Sequence, residues 1–133
     1  METTSARVKK ALEYHSAKVH NNCAQSVLRA FADKLGKSPE ELRALGAGFG
    51  GGMGCMEATC GALCGACIVM CLLNGENKPE TKLIMKDLLQ EFKQQTGATI
   101  CGDLKGIKTH KVLCSCPDCI AYAVLDVEKR LGE

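Results

Sequence analysis

Cys60-Gly-Ala-Leu-Cys-Gly-Ala-Cys-Ile-Val-Met-Cys71 puts a thiol at positions 60, 64, 67 and 71, and the reading of that spacing decides the fold. Each residue of a helix advances about 100°, so the four side chains fall at roughly 0°, 40°, −20° and 20° around the axis. All four sulfurs then share one stripe. No residue from Ala58 to Gly75 is charged, which leaves a membrane span or a buried helix as the choices. A span wants about 20 strongly apolar residues, and this segment is diluted by glycine and cysteine. The expectation is a buried central helix from about Met56 to Leu73, stopped by Gly75.

Immediately upstream, Gly46 to Gly54 contains six glycines in nine residues. Such a loop lets backbone approach a ligand closely and delivers the chain to Cys55 and Cys60. It lacks the Lys-Ser/Thr ending of a phosphate loop and follows no strand pattern, so nucleotide binding is not expected. Within the central segment, Gly61 and Gly65 stand beside the thiol stripe and leave room for a neighbouring helix to come in close.

The flanking segments are helical by the same criterion. Val8, Leu12 and Val19 recur at helical spacing against Lys9, Lys10, Glu13 and Lys18, predicting an amphipathic helix over 5–19 that carries His15 and His20. Asn21 and Asn22 offer caps for a second helix from Cys23 that buries Val27, Leu28, Phe31 and Leu35 and stops at Gly36. Ser38-Pro-Glu-Glu41 is a capping box that opens a short helix through Leu42 and Leu45. Beyond the centre, Asn77 and Pro79 start a long helix with Leu83, Ile84, Leu88 and Phe92 as its apolar face, ending at Gly97. Thr99 can cap a brief turn holding Cys101 and Leu104, and Ser115-Cys-Pro-Asp118 opens a last helix with Ile120, Val124, Leu125, Val127 and Leu131. Period-two alternation is absent. The fold expected is all-α, a single domain over 1–133 with about five helices packed around the central Cys/Gly-rich one.

A chain of 133 residues buries a real core without staples, so its ten cysteines need another explanation. Met1 to Lys10 shows no apolar stretch after its charges and does not read as a secretory signal. A reducing cytoplasm is the expected location, where clustered cysteine means metal or redox chemistry more often than structural disulfides. The net charge of +2 is nearly balanced, and no basic run is interleaved with aromatics, so no nucleic-acid partner is expected. A redox partner protein is, and glycine-faced helix pairs leave room for a homodimer.

Four segments place a cysteine at or near a predicted helix start: Cys23, Cys60, Cys101 and Cys116. Helix N-termini present free amides and partial positive charge, which favour anionic sulfur. The effect is worth ~0.3–1 kcal/mol, too little alone to ionise a thiol with an ordinary pKa of about 8.5. Convergence on a metal centre explains the pattern better, since a metal deprotonates its thiol ligands outright. Cys60 and Cys71 lie about 16 Å apart along a helix, while sulfurs around one ion lie within about 4 Å of each other. One ion cannot take the whole stripe, and Cys64, Cys67 and Cys71 are equally well read as small buried hydrophobes.

A second dense group, His110-Lys-Val-Leu-Cys-Ser-Cys-Pro-Asp-Cys119, contains Cys114, Cys116 and Cys119. Its Cys-x-x-Cys spacing is common to zinc, iron–sulfur and thiol–disulfide sites. Three functions therefore compete: an electron-transfer protein with an iron–sulfur cluster, a metal-free thiol–disulfide oxidoreductase using Cys116 and Cys119, and a structural zinc module near Cys114 to Cys119. Of the histidines, His110 is best placed to add a ligand, whereas His15 and His20 read as surface residues. No Ser-His-Asp or paired-carboxylate arrangement supports hydrolysis.

These residues resemble a family of redox-active proteins named for the cysteine pattern C, GCAxxG, C, C. The resemblance rests on Asn22-Cys-Ala-Gln-Ser-Val27, on Cys60-Gly-Ala-Leu-Cys-Gly65, on Phe92 followed by Gly97, Cys101 and Leu104, and on Cys116 followed by Ile120 and Ala123. It runs from about residue 20 to 125. Carried over, the family's four cysteines fall on Cys23, Cys60, Cys101 and Cys116, with Cys119 a near neighbour able to replace the last. The resemblance implies a small helical bacterial or archaeal redox protein whose cofactor is an iron–sulfur cluster held by those four; by its one-turn spacing from Cys60, Cys64 is a further candidate ligand, as is Cys119. Six further cysteines, at 55, 64, 67, 71, 114 and 119, depart from a simple four-ligand picture.

Overall fold

Ser5 opens the first helix, α1 (Ala6–His15), its hydroxyl accepting from the Val8 amide at 3.0 Å. A computed structural model describes residues 5–133; Met1 to Thr4, part of the segment expected to lack a secretory signal, lie outside the described residues. The helix is shorter than its apolar spacing predicts. The chain leaves it at Ser16, and His20 takes a left-handed backbone with φ of 62°. Val19 consequently sits 41% exposed instead of in the core.

The predicted second helix is two: α2 (Cys23–Ala30) breaks at Phe31 and resumes as α3 (Ala32–Leu35), closed by Gly36 in the left-handed region. Ser38 and Glu41 form the expected capping box at the head of α4 (Pro39–Gly46). Asn22 links these pieces. Its side chain accepts from the Gln25 amide, the Gln25 Oε1 in return accepts from the Asn22 amide, and the Asn22 Nδ2 donates to the carbonyls of Gly46 and Ala47 at 3.1 and 3.3 Å. Asn22→Ala removes a cap and two tertiary bonds together. It is expected to cost about 2 kcal/mol in urea denaturation, above the ~1 kcal/mol of a cap alone.

The central helix, α5 (Gly61–Asn74), begins later than Met56 because Gly52–Met56 forms a wide π-type turn instead. Left-handed backbone at Gly51, Met53, Gly54 and Met56 interrupts helical propagation there. Around α5 pack α2, α6 (Lys78–Thr96) and α8 (Cys116–Leu131), while α1 lies across α2 and α8. The close approach expected at the glycines is present. A β-carbon on Gly65 would meet the Ala24 carbonyl oxygen at 2.8 Å and Val27 Cβ at 3.0 Å, so α2 rests on bare backbone of α5.

Leu28, Phe31, Leu63, Val69, Leu88, Phe92, Ile120 and Val124 are fully buried between these helices, each worth about 2–3 kcal/mol of apolar burial. Leu83 is a correction: it is 69% exposed, and the inward face of α6 runs through Ile84, Leu88 and Phe92. Among the described residues there are eight α-helices, counting a short α7 (Cys101–Lys105), where about five were expected. The excess comes from short or broken segments, and no strand forms among the described residues. None of these helices is long and apolar enough to cross a membrane.

One buried carboxyl sits in the shell. Asp126 is 1% exposed; one oxygen accepts from Gln95 Nε2 at 3.0 Å and the other has no hydrogen-bond partner. Burial pushes its pKa up to about 6. The protonated form is the one the fold prefers, so its contribution to stability is complete below pH ~4 and is lost as pH rises through 6. The Asp126 carboxyl resonance is expected to titrate near pH 6. Asp126→Asn should remove a pH-dependent stability component on the order of 2–3 kcal/mol over that interval.

Candidate redox site

A single antiparallel bridge between Thr59 and Ile100 sets two cysteines side by side. The Cys60 amide donates to the Thr99 carbonyl at 2.8 Å, and the Cys101 amide donates to the Ala58 carbonyl at 3.0 Å. Gly52, with φ of 60°, lies beneath this bridge; a β-carbon there would come within 2.6 Å of Cys101 Cβ. Cys23, the first residue of α2, lies against Gly61, where a β-carbon would collide with the Cys23 sulfur and come within 2.8 Å of the Phe49 carbonyl oxygen. The glycine-rich loop therefore approaches the protein's own cysteines closely.

The other side is supplied by α8. The amides of Leu113 and Cys114 both donate to the Leu104 carbonyl, at 2.9 and 3.3 Å, fastening this connection to α7. Ser115 then caps α8, accepting from the Asp118 amide at 3.3 Å. Cys116 becomes the first residue of the helix, and Cys119, one turn on, is 1% exposed. All four predicted cysteines stand at helix starts, with two changes of detail. Cys60 is itself the N-cap of α5, and the N-cap of α7 is Ile100, not Thr99, with no side-chain hydrogen bond.

The sulfurs sort themselves by charge. Cys60 is lowered to about 6, chiefly by a hydrogen bond from the Cys119 thiol that outweighs burial, with the Ala62 and Leu63 amides and Lys105 helping. Those amides approach the sulfur from the first turn of α5, although it makes no full side-chain cap bond. Cys119 is pushed strongly upward by the same contact and by burial; its sulfur also lies 3.8 Å from the Cys114 carbonyl oxygen. Burial raises Cys23, Cys101 and Cys114, and the nearby Cys60 charge raises Cys23 and Cys101 further. Like charges this close cannot all ionise, so one thiolate forms and its neighbours stay protonated. Lys105 is half-buried: burial pulls its ammonium down, but a hydrogen bond with Cys116 and the charge of the Cys60 thiolate leave it above its ordinary value.

Cys23, Cys60, Cys101, Cys116 and Cys119 thus share one electrostatic neighbourhood. Cys64 lies at its edge, raised by burial and then by Cys60 and Cys23. Cys67 and Cys71 lead away along α5, where burial and Cys71 hold Cys67 at about 11. Cys55 is exposed in the π-type turn. His15 Nδ1 lies 3.0 Å from the Asn21 carbonyl oxygen, and His20 and His110 occupy left-handed turns. Lys105 was not among the expected site residues, yet a signal existed: four residues beyond Cys101 on one helix, it shares that side chain's face.

Among the described residues, no three His, Cys, Asp or Glu side chains are arranged to hold a single metal ion. A zinc ion needs four ligands about one point, an arrangement the cysteines from 114 to 119 do not make. An iron–sulfur cluster distributes its thiolates over several irons, and the donor set fits that chemistry in kind: thiols from four segments, three of them buried.

No curated protein and no solved structure matches the chain. Residues 21–129 match the family described as "Putative redox-active protein (C_GCAxxG_C_C)", a span that runs from the cap of α2 to the last turns of α8. The helix-start cysteines and the glycines packed against them lie within that match, and the chain belongs to this C_GCAxxG_C_C family of redox-active proteins.

Proposed function

We propose that this protein performs thiol–disulfide redox chemistry at Cys60 and Cys119. The observation that carries the reading is the placement of two buried sulfurs beside each other, Cys60 lowered chiefly through Cys119 and Cys119 raised chiefly through Cys60. A low-pKa sulfur with a partner thiol at hand is the arrangement that exchange chemistry needs. Oxidation removes two electrons and the one proton of the thiolate–thiol pair and forms one S–S bond. An acceptor disulfide takes up both electrons and that proton, its own S–S bond breaks, and it leaves as one thiol and one thiolate. Cys116 is half-buried where Cys23, Cys60, Cys101, Cys114 and Cys119 are buried, so a redox partner meets the site on that side, next to Lys105. Chelator-treated protein should still lose two thiols on oxidation and regain both on reduction. A thiol count that stops changing once metal is removed contradicts the proposal.

A second reading is favoured by the convergence of four helix starts. Here Cys23, Cys60, Cys101 and Cys116 would hold an iron–sulfur cluster, which supplies one-electron transfer when bound, with Cys119 donating to the Cys60 sulfur. Hydrogen bonds to ligand sulfur and restricted solvent set the potential of such centres. Anaerobic isolation followed by iron and acid-labile sulfide assays separates the two. Stoichiometric iron and sulfide support the cluster, and a colourless protein that still cycles two thiols supports the pair.

A further inference from the structure

The redox pair leaves the far end of the thiol stripe unused. Cys64 and Cys67 of α5 line a groove of about 430 Å³ between α5 and α6, and Met85 lines it from α6. Lys82 and Lys86 border the same groove. Cys71, exposed at the next turn of α5, contacts Cys67. We propose that this groove is a second binding site, taking a soft monovalent d¹⁰ cation of the Cu(I) class on the sulfurs of Cys64, Cys67 and Met85, with Cys71 receiving the ion at the surface.

The donor set selects the ion. Thioether and thiolate sulfur favour Cu(I) over the hard cations that prefer carboxylate and carbonyl oxygen. Zn²⁺ is bound by nitrogen, thiolate and oxygen ligands in a four-coordinate shell, of which the groove lining offers only the two thiols of Cys64 and Cys67. Charge points the same way. Two thiolates around a monovalent ion carry one net negative charge, which Lys82 and Lys86 complement, whereas a divalent ion would leave the lysines facing a neutral complex. Cys64 and Cys67 are each half-buried and line the groove from a helix the core already holds. The site does not rest on the chemistry assigned to Cys60 and Cys119.

The test titrates the full chain with Cu(I) under anaerobic conditions against a chromogenic chelator. Because buried thiols also attract Cu(I), wild type is compared with Cys67→Ser, Cys64→Ser and Cys60→Ser. One equivalent should disappear in both groove variants and survive in Cys60→Ser. Its X-ray absorption there should report sulfur-only coordination, and Met85→Leu should weaken it about tenfold. Helical circular dichroism of each variant checks folding, and the two groove variants stand in for one another if either unfolds. Binding by Cys67→Ser or Cys64→Ser with wild-type stoichiometry and affinity overturns the proposal, as does failure of Cys60→Ser to bind any Cu(I).

Discussion

Cys60→Ser is expected to abolish reversible two-electron cycling while leaving the fold in place. Serine keeps the size and shape of the side chain, and the bridge that positions residue 60 is made by backbone, the Cys60 amide to the Thr99 carbonyl at 2.8 Å. The cost in stability should stay near 1 kcal/mol, the scale of one altered buried polar group. A hydroxyl is not ionised near neutral pH and forms no disulfide, so the loss of cycling should be complete. Cys119→Ala makes a different prediction. It removes the donor that does most to lower Cys60, whose pKa is about 6 with the partner present. Ultraviolet absorbance of the thiolate should then titrate near the ordinary thiol range, at about 8.5. An unmoved midpoint would show that the helix amides and Lys105 suffice, and the pair would lose its special standing. Rate alone is a poorer readout, because a thiolate of higher pKa is rarer but more nucleophilic, and the two effects largely cancel.

Gly61→Ala should give a large loss of stability for a single methyl addition near the site. The new carbon would run into the Cys23 sulfur and lie 2.8 Å from the Phe49 carbonyl oxygen, and neither is the loose end of a flexible side chain. Over-packing of this kind costs about 1–3 kcal/mol, and backbone on one side argues for the upper end. Relief can come only by moving Cys23 or the glycine-rich loop. Urea denaturation measures the first effect, and the Cys23 titration, which feels the Cys60 charge, measures the second. A variant of wild-type stability would mean that α2 and α5 are less closely apposed than described.

Much of the site was legible because the cysteines carry local start signals. Asn22 before Cys23 and Ser115 before Cys116 cap their helices as their identities predict, with bonds to the Gln25 and Asp118 amides. Gly65 reads as a close approach, and α2 sits there. What escaped depends on tertiary context. Met53, Met56 and His20 hold left-handed backbone that their types seldom adopt, so neither the π-type turn nor the early end of α1 was visible in propensity. Leu83 and Ile84 are adjacent and apolar, and only the neighbours of α6 decide which of them turns inward. The most consequential gap concerns Cys119. Its spacing from Cys116 suggests a local pair, yet its sulfur goes to Cys60 on another helix while Cys116 meets Lys105. A contact between α5 and α8 leaves no trace in local spacing.

Which sulfur meets Cys119 decides the chemistry of the site. The most direct measurement is peptide mapping of protein oxidised by a low-molecular-weight disulfide, with free thiols blocked before digestion. The predicted result is a linked peptide joining Cys60 to Cys119, present after chelation and absent after reduction. A linkage of Cys116 to Cys119, or no linkage at all in protein that carries stoichiometric iron and sulfide, would contradict it.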